Sequence, residues 1–220
     1  MKRTWWHREH RPFDKAERAV DAAVHIFGLV LCSLGGVLLF LVGGGDIDSG
    51  QFLAFCIYLV SCLTVLSASM AFNLWPVTPF KRHLARLDQA AIFFFLAGTY
   101  TAFLSLVGHT PAALWALGLV WLACTIGMAL KVLAPHRFGR IAIVMFLLIG
   151  WSALLLLDAF AEVLTPTAIW LTIAGGAAYS IGVLFHLWER LRFQNAFWHL
   201  FVVAGALLHQ GAIVHSVAVT

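Results

Sequence analysis

The chain has 220 residues, of which 62% are hydrophobic and 11% charged, and its mean hydropathy is +0.92. Soluble domains run at about 45–50% apolar and about 25% charged, so this composition excludes a soluble globule, a disordered chain and a nucleic-acid-binding domain. A chain this apolar has lipid as its solvent, and its formal net charge of +4 matters through placement rather than through its total.

The N-terminal segment, residues 1–19, is polar and basic, with Trp5 and Trp6 set among Lys2, Arg3, Arg8 and Arg11. It reads as a cytoplasmic, interfacial segment. The apolar run that follows is too long for the core of a cleavable signal, so the first span is expected to stay in the mature protein. A helix needs about 20 mostly apolar residues to cross a bilayer. Seven such stretches follow, at 20–43, 51–74, 88–107, 111–133, 141–163, 167–187 and 196–218. A tight helical hairpin around Gly108, His109, Thr110 and Pro111 separates the third from the fourth. Residues 20–218 therefore form one all-α domain, a seven-transmembrane helical bundle.

All fourteen Lys and Arg residues fall on one side of it: the N-terminal segment, the second-to-third connection (Lys81, Arg82, Arg86), the fourth-to-fifth region (Lys131, Arg137, Arg140) and the sixth-to-seventh connection (Arg190, Arg192). The positive-inside rule then predicts a cytoplasmic N-terminus and an outside C-terminus, in the inner membrane of a bacterial cell. The cysteines, Cys32, Cys56, Cys62 and Cys124, all sit in apolar runs with no CxxC pair. They read as small packing residues, not as a disulfide framework or a zinc knuckle.

Ionisable and amide groups inside a membrane are costly and tend to face a bundle interior. The topology assigns each a depth. Ser69 and Asn73 close the second span, Asp88 opens the third, and Asn195 and His199 lie in the first turns of the seventh. All five reach one level in the inner leaflet, with His25 and His186 at similar depth. Ser69 with Asn73, and Asn195 with His199, are i, i+4 pairs that share a helix face, about 6 Å apart along the axis. A buried polar cluster of Ser69, Asn73, Asp88, Asn195 and His199 is the expectation. His209 lies about 15 Å further along its helix than His199, too far to share an ion with it. His7, His10, His83 and His136 read as solvated. Haem between His25 and His199 has no further support, and the position of Lys131 at a span end disfavours a retinal Schiff base.

The stretches Asp88–Thr101 (DQAAIFFFLAGTYT), Gly150–Trp151, Gly175–Phe185 (GGAAYSIGVLF) and Trp198–Val202 (WHLFV) resemble the hemolysin III family, within the progestin and adiponectin receptor family. The resemblance runs from Glu17 to His215. It implies a Ser-x-x-x-His motif on the second span, an Asp on the third and His-x-x-x-His on the seventh. In better-known relatives the three histidines bind zinc, the Asp contacts a zinc-bound water, and hydrolysis of lipid amides is suspected. Ser69, Asp88 and His199 match that pattern. Asn73 and Asn195 stand where two zinc-binding histidines belong, and Gln89 replaces a further histidine.

Catalytic zinc normally takes three protein ligands plus water, and a neutral amide oxygen is a weak substitute for an imidazole. His199 alone should not hold zinc tightly, so no cofactor is expected and the family's zinc site reads as degenerate. A rearranged site would recruit His25 or His186 beside His199 and Asp88. The resemblance then implies a membrane protein of lipid and fluidity homeostasis or sensing, whose partners are membrane lipids. Ser69 and Asp88 as catalytic groups would instead make a zinc-dependent, ceramidase-like lipid amide hydrolase, which Asn73 and Asn195 oppose. A pore-forming hemolysin would want polar residues along its whole length, and the outer halves of these spans offer few.

Overall fold

The computed structural model describes residues 13–134 and 139–219. Trp5, Trp6, His7, His10 and His136 lie outside them. The elements are α1 (Lys15–Gly43), α2 (Ser49–Leu74), α3 (Lys81–Val107), α4 (Pro111–Leu133), α5 (Gly139–Trp151), a 3-10 segment (Ser152–Leu156), α6 (Leu157–Ala161), α7 (Pro166–Leu187) and α8 (Gln194–Val219), with no strand among the described residues. Seven segments are long and apolar enough to cross a membrane, the fifth of them running over Ile141–Ala161. The chain is an all-helical, multi-pass membrane protein.

Local chemistry sets the helix starts. Asp14 caps α1 by accepting from the Glu17 N–H (2.8 Å), while Glu17 accepts from the Asp14 N–H (3.0 Å). Asp48 and Gln51 repeat this reciprocal capping at α2. Thr110 and Thr165 cap α4 and α7, each followed by a proline whose missing N–H costs the first turn nothing.

The helices pack as neighbours in the order α4, α3, α2, α1, α8, α7, with α5 touching α3, α4 and α7. α3 also meets α8 and is the central element, most of its apolar stretch being buried. The outer faces carry Leu34, Leu41, Trp115, Leu119, Leu148 and Leu155, all exposed, as a lipid-facing surface requires. The buried positions of α1 are Glu17, Asp21, His25, Gly28, Cys32, Gly36, Leu39 and Gly43. That is one stripe at helical spacing, and its first three members are polar. Gly28 lets α1 approach α8 closely, since a Cβ there would lie 2.5 Å from Val203 Cγ2.

The fifth span breaks at Trp151 into the 3-10 segment, which disturbs the helical hydrogen-bond ladder. Backbone carbonyls at membrane depth need partners. The Tyr100 hydroxyl supplies one, donating to Ile149 O at 2.6 Å and sitting 2.9 Å from Ser152 Oγ.

Candidate functional site at the entry end of α1 and α8

The site is assembled by the turn before α8. Phe193 takes a positive φ of 60°, and its N–H donates to Glu17 Oε1 at 2.8 Å. Glu17 thus caps its own helix and fastens the start of the last one. Gln194 donates to His186 O at 2.7 Å, tying the end of α7 to the same turn. With α8 held in this register, Asn195 and His199 face α1 and α2.

His199 is gripped from both sides. Its Nδ1 lies 2.6 Å from Asp21 Oδ1 and its Nε2 lies 3.1 Å from Ser69 Oγ. An ionised carboxylate only accepts, so Nδ1 carries the proton and Nε2 presents a lone pair to the serine hydroxyl. Asn73 Nδ2 donates to Ser69 O (2.9 Å) and Ser69 Oγ (3.3 Å). Asn195 Nδ2 donates to Asn73 Oδ1 at 2.6 Å. Asp21, Ser69, Asn195 and His199 are all buried. His25 completes the group. Its Nδ1 donates to the backbone O of Asp21 (2.8 Å), and its ring centroid is 4.2 Å from that of His199. Its buried Nε2 has no hydrogen-bond partner among the described residues.

Four residues singled out in the sequence, Ser69, Asn73, Asn195 and His199, therefore meet in one hydrogen-bonded chain. Asp88 takes a different place. Helix α3 begins at Lys81, so Asp88 lies two turns inside it, half-buried, within electrostatic reach of Lys131. The hydrogen bonds of the four clustered side chains run to one another and to Asp21. The acid of the cluster comes from α1 instead of α3. His186 packs its ring on Trp198, centroids 5.0 Å apart, and stands outside the group formed by Asp21, His25 and His199. Asp21 is not among the residues singled out in the sequence. Its signal was present: Glu17, Asp21 and His25 recur every four residues on one face at the start of a span.

The three-imidazole zinc site implied by the resemblance does not fit these residues. Asn73 and Asn195 are bonded to each other, and their amide oxygens are poor zinc ligands. A different set, Asp21, His25 and His199, brings a carboxylate and two imidazoles within 4.8 Å of one another and could hold a metal ion. As arranged here, both nitrogens of His199 are already engaged. His25 Nε2 offers a lone pair that no hydrogen bond takes up, and so does Asp21 Oδ2, which lies 3.8 Å from His25 Nδ1.

A helical membrane bundle with a buried polar cluster at one end of its first, second and last spans defines the class, and sequence comparison places the chain within it. The haemolysin-III related family model matches residues 13–210, and the chain belongs to that family. It is 29% identical over 192 residues to Hemolysin-3 of Bacillus cereus (87% of this chain, 88% of the relative). It is 27% identical over 194 residues to the Hemolysin-3 homolog of Bacillus subtilis strain 168 (88% and 91%). The human monocyte to macrophage differentiation factor is 25% identical over 205 residues (90% and 83%), which connects the chain to the animal branch of the progestin and adiponectin receptor family.

Proposed function

We propose that this protein acts in membrane lipid and fluidity homeostasis in a bacterial inner membrane, with its N-terminus and polar cluster on the cytoplasmic side. In this reading the family's zinc site is degenerate, and a metal-free hydrogen-bonded network takes its place. The observation that carries the reading is the 2.6 Å bond from Asn195 to Asn73. The two positions that the resemblance assigns to zinc-binding histidines are joined by a donated amide hydrogen bond, and Asn73 passes that constraint on to Ser69, while Asn195 Oδ1 stays buried without a partner among the described residues. The orientation rests on the sequence, in which every Lys and Arg falls in the N-terminal segment or in or beside an alternate connection between spans.

The test is a deletion strain grown under cold or fatty-acid stress, with its lipid composition measured. Altered acyl composition or slowed growth, restored by the wild-type gene, is the expected result. Growth and lipids indistinguishable from the parent would contradict the proposed role.

A further inference from the structure

Hydroxyl groups inside transmembrane helices usually donate to a carbonyl of their own helix. Thr64, Thr99, Thr101, Thr172, Ser180 and Ser216 all do so, four residues back. Ser69 differs, since its Oγ faces His199 Nε2 on another helix at 3.1 Å. Behind that imidazole stands Asp21, 2.6 Å from Nδ1. A hydroxyl on the lone-pair nitrogen of an imidazole, whose other nitrogen donates to a buried carboxylate, is the arrangement that activates a serine nucleophile. It is recognised by geometry and not by chain order. Here α2, α8 and α1 supply its three members.

A substrate path adjoins it. An apolar cavity is lined by Val65, Phe95, Phe103, Leu154, Trp198 and His209 among others. Val65 is one helical turn from Ser69, and Trp198 directly precedes His199. Between Trp198 and His209 the cavity follows α8 for about 16 Å. Leu154, on its wall, is also exposed on the outer surface of the fifth span, so the cavity communicates with the lipid side. Its walls suit an alkyl chain; Ser69, His199 and Asp21 stand behind its lining, with Ser69 about 6 Å further along α2 than Val65.

We propose that Ser69, His199 and Asp21 work as a serine-nucleophile triad, hydrolysing a fatty-acyl ester drawn from the bilayer with its alkyl chain in this cavity. The inference rests on the lipid-handling, metal-free reading above and assigns it a reaction. Ser69 Oγ attacks the acyl carbon while its proton passes to His199 Nε2. Asp21, a positioning residue, keeps Nδ1 protonated and stabilises the imidazolium. The Asn73 amide, 3.3 Å from Oγ, is the donor beside the developing oxyanion, and Asn195 holds it in place. The tetrahedral centre collapses, the C–O bond to the alcohol breaks, and the alkoxide takes the proton from His199. Water then attacks the acyl-Ser69 ester and gives a proton to His199. Collapse of that intermediate returns the proton to Ser69 Oγ and releases the fatty acid. An ester suits a site whose oxyanion donor is a neutral amide, because an alkoxide leaves more readily than an amine.

The experiment treats the full-length protein in lipid nanodiscs with a long-chain alkyl fluorophosphonate, maps adducts by mass spectrometry, and measures turnover of a fluorogenic long-chain fatty-acyl ester. A single adduct on Ser69 is expected, absent in Ser69→Ala, with turnover unchanged by chelators. Asp21→Asn should lower kcat by about 10⁴-fold, as loss of the correct tautomer does in such triads, with KM little altered. Ser69→Ala removes one oxygen, and its melting temperature in the nanodisc verifies the fold. Folded wild-type protein without a Ser69 adduct would overturn the proposal, as would turnover that survives Ser69→Ala or is abolished by a chelator. Full rescue of the deletion strain by Ser69→Ala would also overturn it, while leaving the homeostasis role standing.

Discussion

Asp21 and His199, at opposite ends of the sequence, meet at 2.6 Å between Oδ1 and Nδ1, both buried. This contact joins the first and last spans and fixes the histidine's tautomer. Removing the imidazole leaves the buried Asp21 carboxylate without its donor, at a cost of about 1–3 kcal/mol and more for a charged group. His199→Ala should therefore destabilise the protein by that order. Asp21→Asn, which keeps a hydrogen-bonding side chain, should cost less. Melting temperatures of the two variants in detergent check the order, and equal losses would contradict it.

Restoring imidazoles at the two amide positions should restore a metal site. Asn73→His combined with Asn195→His supplies two nitrogen ligands beside His199, the three that catalytic zinc requires. The double variant is expected to bind zinc stoichiometrically, measured by elemental analysis after gel filtration. Either single variant should bind more weakly. A double variant without zinc would show that the positions do not converge on one point.

Glu17 holds two structures at once, the α1 cap and the Phe193 N–H before α8. Loss of a cap alone costs about 0.5–2 kcal/mol. Glu17→Ala should lie at the upper end of that range and should speed hydrogen exchange at Phe193 and the first turn of α8. Faster exchange confined to α1 would contradict the second role.

Tyr100 closes the break in the fifth span through Ile149 O. Tyr100→Phe removes the cross-helix donor while Ser152 Oγ still donates to Ile149 O at 2.7 Å, a loss of about 0.5–1.5 kcal/mol. The expected readout is faster hydrogen exchange over residues 149–156, with the α1–α8 contact unaffected. Unchanged exchange there would contradict the assigned partnership.

Much of this arrangement is legible in the sequence because a membrane constrains it so strongly. Apolar runs of fixed length mark the spans, and the fourteen basic residues group their ends. Four of the five cluster residues follow from i, i+4 spacing and depth alone. The choice of acid does not follow. Asp88 and Asp21 both sit in early turns of a span, and depth cannot tell them apart. What separates them is that α1 packs along α8 far more extensively than α3 does, with a close approach at Gly28. The break after Trp151 was equally hidden, because a 3-10 segment leaves hydropathy unchanged. The hydroxyl that satisfies its carbonyls comes from Tyr100, about fifty residues away in the chain.

The central claim is that hydrogen bonds from Ser69 and Asp21, and not a metal, occupy the two nitrogens of His199. Elemental analysis of wild-type protein, purified without chelator from zinc-supplemented cells, tests it most directly. The account predicts no stoichiometric zinc, and no change in metal content on His199→Ala. One zinc per chain, lost on that substitution, would contradict it.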